Sequence, residues 1–122
     1  MKRVLIVEDE FMIALALEKQ LEQHGCEVVA KVDNAEEALA LIEDNHPDLI
    51  VMDIKLNGGI DGIEAVRRIR EFADIPVIYL TGNGEAGSME QAEETGPAAI
   101  LIKPVKPEIL KEVLDQVLIT PR

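Results

Sequence analysis

Three acidic side chains stand where short aliphatic runs end: Glu8 and Asp9 directly after Val4 to Val7, and Asp53 directly after Leu49 to Met52. Thr81 closes a third run, Pro76 to Leu80, and Lys103 a fourth, Ala98 to Ile102. If the runs are neighbouring strands, these groups share one rim of a sheet. Two carboxylates about 4 Å apart repel by about 4 kcal/mol at an effective dielectric near 20, so such a cluster calls for a cation. The ligands are hard oxygens with no His or Cys close by in the chain, which suits magnesium better than zinc or calcium, with manganese able to substitute in vitro.

The same set matches phosphoryl transfer, in which positioning and neutralisation of the equatorial oxygens carry most of the catalysis. Asp53 can act as nucleophile, the metal can hold one phosphoryl oxygen, the Thr81 hydroxyl a second and the Lys103 ammonium a third. Taken singly, each residue has a bland reading. A strand-end Asp is commonly a helix cap, a lone Lys a solvated one, and Thr81 before Gly82 a turn residue. Their joint occurrence favours the chemistry.

The elements that must position them follow from periodicity. Val4 to Val7, Leu49 to Met52, Pro76 to Leu80 and Ala98 to Ile102 read as strands, with Glu27 to Val32 a more exposed one. Between them the period changes to that of a helix. Ile13, Leu17 and Leu21 recur every four residues before Gly25, a residue suited to a helix C-terminus. Asn34 with Glu37, and Asp61 with Glu64, give capping-box-like starts to two more helices, the first ending near His46-Pro47. Ile63, Val66, Ile69 and Phe72 give the third helix one apolar side. After the loop Thr81 to Gly87 a short polar helix runs from Ser88 to about Thr95. A last helix spans Pro107 to Leu118, with Ile109, Leu110, Val113, Leu114 and Val117 facing inward. Alternating strand and helix with short connections predict a parallel α/β sheet covered on both faces, with the site outside the carboxyl ends of the strands.

Composition narrows the function classes. The 122 residues fit one domain with an aliphatic core, since only 2% are aromatic. Acidic residues outnumber basic ones 24 to 12, for a net charge of -12, which opposes direct binding to nucleic acid or anionic membranes and favours a protein partner or a cation. Cys26 is the single cysteine, expected to be buried, and no apolar segment near Met1 is long enough for a signal peptide or membrane span. A cytoplasmic setting is inferred. His24 and His46 fall at helix ends and are given no chemistry.

With these residues in place, the chain resembles the receiver domain of two-component response regulators. The resemblance rests on V-L-I-V-E-D-E, L-I-V-M-D-I-K-L followed by D-G-I-E-A, P-V-I-Y-L-T-G and I-L-I-K-P, in that order, from about Arg3 to Leu118. It implies a single receiver domain over residues 1–122 with the flavodoxin-like, doubly wound five-stranded sheet in the order 2-1-3-4-5 and five helices. It further implies that Asp53 is the phosphoacceptor, Asp9 and Asp53 direct magnesium ligands, Glu8 a ligand through water and the Lys55 carbonyl a backbone ligand. Thr81 matches the hydroxyl that moves toward the phosphoryl group, and Lys103 the lysine that pairs with it. The bond before Pro104 is cis in the family. The donor would be a sensor histidine kinase or phosphotransfer protein. The output would pass through the face of the fourth helix, fifth strand and fifth helix to a downstream protein target or dimer partner. Lys55 and Asn83, each two residues past a site residue, match positions that tune the lifetime of the acyl phosphate.

One position departs from the pattern. Receivers often carry an aromatic residue three positions before the lysine, and here Ile100 stands there. Tyr79, two residues before Thr81, points to the same face of its strand as Thr81 and is the other candidate for switch coupling. The chain stops with the last predicted helix, so the expectation is a stand-alone relay acting by protein contact or a piece of a longer regulator or hybrid kinase, in either case catalysing only its own phosphorylation and hydrolysis and so not a multiple-turnover enzyme. The alternative is a receiver-fold interaction module that is not phosphorylated. A flavin-binding domain would need a phosphate-cradling loop where Glu8-Asp9-Glu10 stands, and an aspartyl phosphatase commonly carries D-x-D where this chain has Lys55 two past Asp53.

Overall fold

The structure, a computed structural model, describes residues 1–56, 58–82 and 86–119. Strands and helices alternate along the chain: β1 (Lys2–Val7), α1 (Phe11–Gln23), β2 (Cys26–Val32), α2 (Ala35–Asn45), β3 (Leu49–Asp53), α3 (Gly62–Arg70), β4 (Val77–Thr81), α4 (Ala86–Glu94), β5 (Ala99–Ile102) and α5 (Pro107–Ile119). The strands form one parallel sheet in the order β2-β1-β3-β4-β5. This is the expected flavodoxin-like order, and it reverses between β1 and β3.

The side chains explain the elements. β3 and β4 are buried at every position, as their apolar sequences up to Asp53 and Thr81 require of strands covered on both faces. α1 ends where Gly25, at φ +81, donates its N–H to the Glu22 carbonyl at 3.0 Å, a backbone turn that costs an L side chain energy. Asn34 and Asp61 cap α2 and α3 by accepting from the Glu37 and Glu64 N–H groups at 2.8 and 2.9 Å. Cys26 is buried, as expected.

Two aliphatic clusters sandwich the sheet. Ala14, Leu17 and Leu21 of α1 pack with Leu110 and Leu114 of α5 against one face. Ala35, Ala38 and Ile42 of α2, Ile63, Val66 and Ile69 of α3, and Ala92 of α4 pack against the other. No helix among the described residues is long and apolar enough to cross a membrane.

Boundaries differ from expectation by one or two residues, and two side chains leave the core. α4 begins at Ala86 rather than Ser88. Phe72 is 49% exposed because α3 stops at Arg70 and its end tightens, the Phe72 and Ala73 N–H groups both reaching the Ile69 carbonyl. Ile109, 43% exposed, lies one residue before buried Leu110 and so about 100° around the helix from it.

The contrast gives a direct check. Truncating fully buried Leu49 to Ala should cost about 2–5 kcal/mol in urea unfolding, whereas Phe72→Ala should change stability by less than about 0.5 kcal/mol.

Candidate functional site

Strand register brings the predicted residues to one level. Val7 of β1 stands opposite Met52 of β3, so the next residues, Glu8 and Asp53, emerge side by side at the point where the strand order reverses. Asp53 pairs with Leu80, and Thr81 with Ile102, which sets Thr81 and Lys103 beyond the same edge. The Lys103 N–H, bonded to the Thr81 carbonyl at 2.8 Å, holds the two together. The Lys103-Pro104 peptide is cis, as the resemblance implies.

The Lys103 ammonium bridges two buried acids. Its Nζ lies 3.0 Å from Asp53 Oδ2 and 3.0 Å from Glu8 Oε1, and both acidic residues are 3% exposed. Burial pushes the Asp53 carboxyl up to about 7, with the Lys103 hydrogen bond opposing and the nearby Glu8 charge adding to the rise. Burial by itself would lower Lys103, but its close contacts with the Glu8 and Asp53 carboxylates outweigh that and hold it above its ordinary value. One cation thus faces two buried carboxylates, leaving the rim short of positive charge.

That shortage is the test of whether a metal suits the residues. Among the described residues Glu8 Oε1 is buried without a hydrogen-bond donor, its contact with Lys103 being an ion pair outside hydrogen-bond geometry. Asp9, Glu10, Asp53, Lys55, Asp61, Gly82 and Lys103 line a cleft of ≈ 490 Å³ at this rim. Asp9 and Asp53 therefore open onto the same space. Among the described residues the carboxylates of Glu8, Asp9 and Glu10 also come within 4.8 Å of one another. An all-oxygen, anion-rich set of this kind fits a hard divalent cation.

The remaining predicted residues are placed as follows. Thr81 is 2% exposed, its hydroxyl donating to the Gly82 carbonyl at 3.3 Å. The Lys55 N–H donates to Asp53 Oδ1 at 3.3 Å. Asn83 lies outside the described residues. Asp61 is a helix cap, as expected, and also borders the cleft. Ile100 is half-buried opposite Tyr79. Tyr79 is fully buried on the α2, α3 and α4 side, with its hydroxyl 2.8 Å from Thr95 Oγ1. Burial holds its phenol above the ordinary value, so it keeps its proton.

Two contributors were not assigned from the sequence. A Cβ on Gly62 would fall 2.0 Å from the Asp53 carbonyl oxygen, so the glycine lets α3 start directly against the backbone of the proposed phosphoacceptor, its N–H bonded to Ile54 O at 2.9 Å. The signal was the D-G pair at a helix start, where glycine has no capping use. Glu10 was read only as part of an acidic run, yet its N–H orients Glu8 through Oε2 at 3.0 Å.

The response regulator receiver domain family matches the chain over residues 4–115. The chain belongs to that family. It is 37% identical over 103 residues to the transcriptional regulatory protein PdtaR of Mycobacterium tuberculosis, covering 84% of this chain and 50% of PdtaR. It is 38% identical over 120 residues to the phosphate regulon transcriptional regulatory protein PhoB of Pseudomonas aeruginosa, covering 96% of this chain and 52% of PhoB. The receiver thus spans about half the length of these relatives. The crystal structure of the signal receiver domain of a modulated diguanylate cyclase from Desulfovibrio desulfuricans superposes with a TM-score of 0.89 at 33% identity, covering 97% of this chain and 94% of the other.

The raised Asp53 pKa sets a sign for pH dependence. Because folding favours the neutral carboxyl, its stabilising effect is complete below about 3.8 and is lost as pH rises through about 7. In metal-free buffer Asp53→Asn should therefore be more stable than the parent above pH 7, by about 1–3 kcal/mol, with the gap closing toward pH 4; denaturant midpoints across that range read it. Gly62→Ala should lower stability by about 1–3 kcal/mol in the same assay, because backbone rather than a flexible side chain must give way.

Proposed function

We propose that this receiver takes a phosphoryl group from a phosphohistidine onto Asp53 and serves as a phosphorelay switch. The observation that carries this reading is the Lys103 ammonium at 3.0 Å from both Asp53 and Glu8, at the point where the sheet order reverses. An Asp53 oxygen attacks phosphorus, the phosphorus–nitrogen bond breaks, and the imidazole leaves with the bonding electrons. Lys103, already within reach of Asp53, pairs with one phosphoryl oxygen, and the Thr81 hydroxyl turns from the Gly82 carbonyl toward another. Glu8, Asp9, Asp53 and the Lys55 carbonyl would hold magnesium, or manganese in vitro, which when bound neutralises oxygen charge and favours the ionised Asp53. Lys55 and Asn83 would tune how fast water attacks the product. The domain turns over only its own phosphate.

Partners follow from surface and charge. An apolar groove of ≈ 470 Å³, lined by Met12, Ile13, Ala16, Leu17, Pro104 and Val105, runs up to Lys103 and is the surface on which a histidine kinase or phosphotransfer protein would seat. Output would use the α4, β5 and α5 face toward a protein target or dimer partner. The domain itself, at net charge -12, would not contact nucleic acid or membrane. A cytoplasmic setting belongs to this reading.

Incubation with acetyl phosphate and magnesium, followed by intact mass, should add one phosphate to the parent and none to Asp53→Asn. No addition to the parent, or addition surviving that substitution, would leave an unphosphorylated interaction module as the better reading.

A further inference from the structure

α4 is loosely held. Of its side chains from 88 to 94, only Ala92 is buried, and the rest of that stretch is polar or partly exposed. Polar contacts gather at its C-terminal end. Thr95, the first residue after α4, donates its hydroxyl proton to the Ala92 carbonyl at 2.6 Å. That proton being committed, the 2.8 Å contact with Tyr79 has Tyr79 Oη as donor and Thr95 Oγ1 as acceptor. Arg70, the last residue of α3, adds a clamp: its Nε reaches the Thr95 carbonyl at 3.1 Å, one Nη the Ile75 carbonyl at 2.6 Å and the other the Gly96 carbonyl at 3.4 Å.

The placement of this anchor matters. Tyr79 sits two residues before Thr81 on the same buried strand, while the opposite end of α4 follows the segment that leaves Thr81. Ile100, facing Tyr79 across β4 and β5, packs on the same cluster as Ala92 but has no polar atom to make the bond. A helix pinned at one end and led at the other can only pivot.

We propose that the Tyr79–Thr95 hydrogen bond, backed by the Arg70 clamp, is the fixed pivot about which α4 turns when the phosphorylated site draws Thr81 inward, making Tyr79 a positioning residue for the output face. The proposal rests on the phosphoacceptor reading of Asp53. Without the bond, motion at the Thr81 end is no longer held at the Thr95 end and spreads through the whole helix.

Hydrogen exchange read by mass spectrometry on the intact chain tests it, with Tyr79→Phe, Thr95→Val and Thr95→Ser as variants. Without phosphate, the first two should speed amide exchange over residues 92–98 about fivefold, with Thr95→Ser near the parent. With acetyl phosphate and magnesium, all should take up phosphate equally, but the phosphate-dependent change should stay at the start of α4 in the parent and extend to residues 92–98 in Tyr79→Phe. Unchanged exchange in both hydroxyl-deleting variants, a speed-up shared evenly by β3 and the core, or the parent's phosphate-dependent pattern persisting in Tyr79→Phe would overturn the pivot. A parent that takes no phosphate would instead overturn the phosphoacceptor reading, and the phosphate-free comparison would still decide whether the bond holds α4.

Discussion

A single ammonium group set between two buried carboxylates organises this protein. Lys103 reaches Asp53 and Glu8 at equal distance, and neither acid has water enough around it to carry its charge alone. Removing either acid leaves the lysine a single partner, and removing the lysine leaves two like charges in a poorly solvated rim, where their repulsion is strongest. The rim is therefore built to be short of positive charge. Burial holds the Asp53 proton toward neutral pH against the pull of Lys103, and among the described residues Glu8 Oε1 has that lysine's ion pair but no hydrogen-bond donor. A polar group left unsatisfied in this way is costly, which is why such arrangements concentrate at functional sites.

Everything else in the fold serves to hold that level. The parallel register stops β1, β3, β4 and β5 in step, so that acids, hydroxyl and lysine leave the sheet together. The Lys103 N–H tied to the Thr81 carbonyl locks the two strands that carry the cation and the hydroxyl. Gly62 allows α3 to abut the Asp53 carbonyl, where any side chain would displace the backbone on which the carboxylate is mounted. Two aliphatic layers, one from α1 and α5 and one from α2, α3 and α4, keep the sheet rigid beneath.

Rigidity is uneven, and the uneven part lies next to the site. Among its described side chains α4 contributes one buried alanine, and polar contacts from Arg70 and Tyr79 to Thr95 add to that burial. Polar contacts are directional and can be exchanged, whereas packed aliphatic faces resist displacement. Ile100 lies opposite Tyr79, the only tyrosine of the chain, on the neighbouring strand.

Much was legible from the residues alone. Aliphatic runs closing on Glu8, Asp53, Thr81 and Lys103, separated by segments of helical period, determined an α/β sheet with its polar groups on one rim, because burial on both faces leaves strand ends as the place for charge. Asn34 and Asp61 announced their helices through the backbone N–H groups that they satisfy. What only the tertiary structure decided depends on distance between segments remote in sequence: that Lys103 is shared by two acids, that burial pushes the Asp53 carboxyl up to about 7 against the pull of Lys103, that Gly62 is a point of backbone contact, and that Tyr79 bonds to Thr95. Phe72 and Ile109 show the same limit from the other side. Periodicity names a face, but where a helix ends and which neighbour covers it are settled by packing, an interaction that no local pattern encodes.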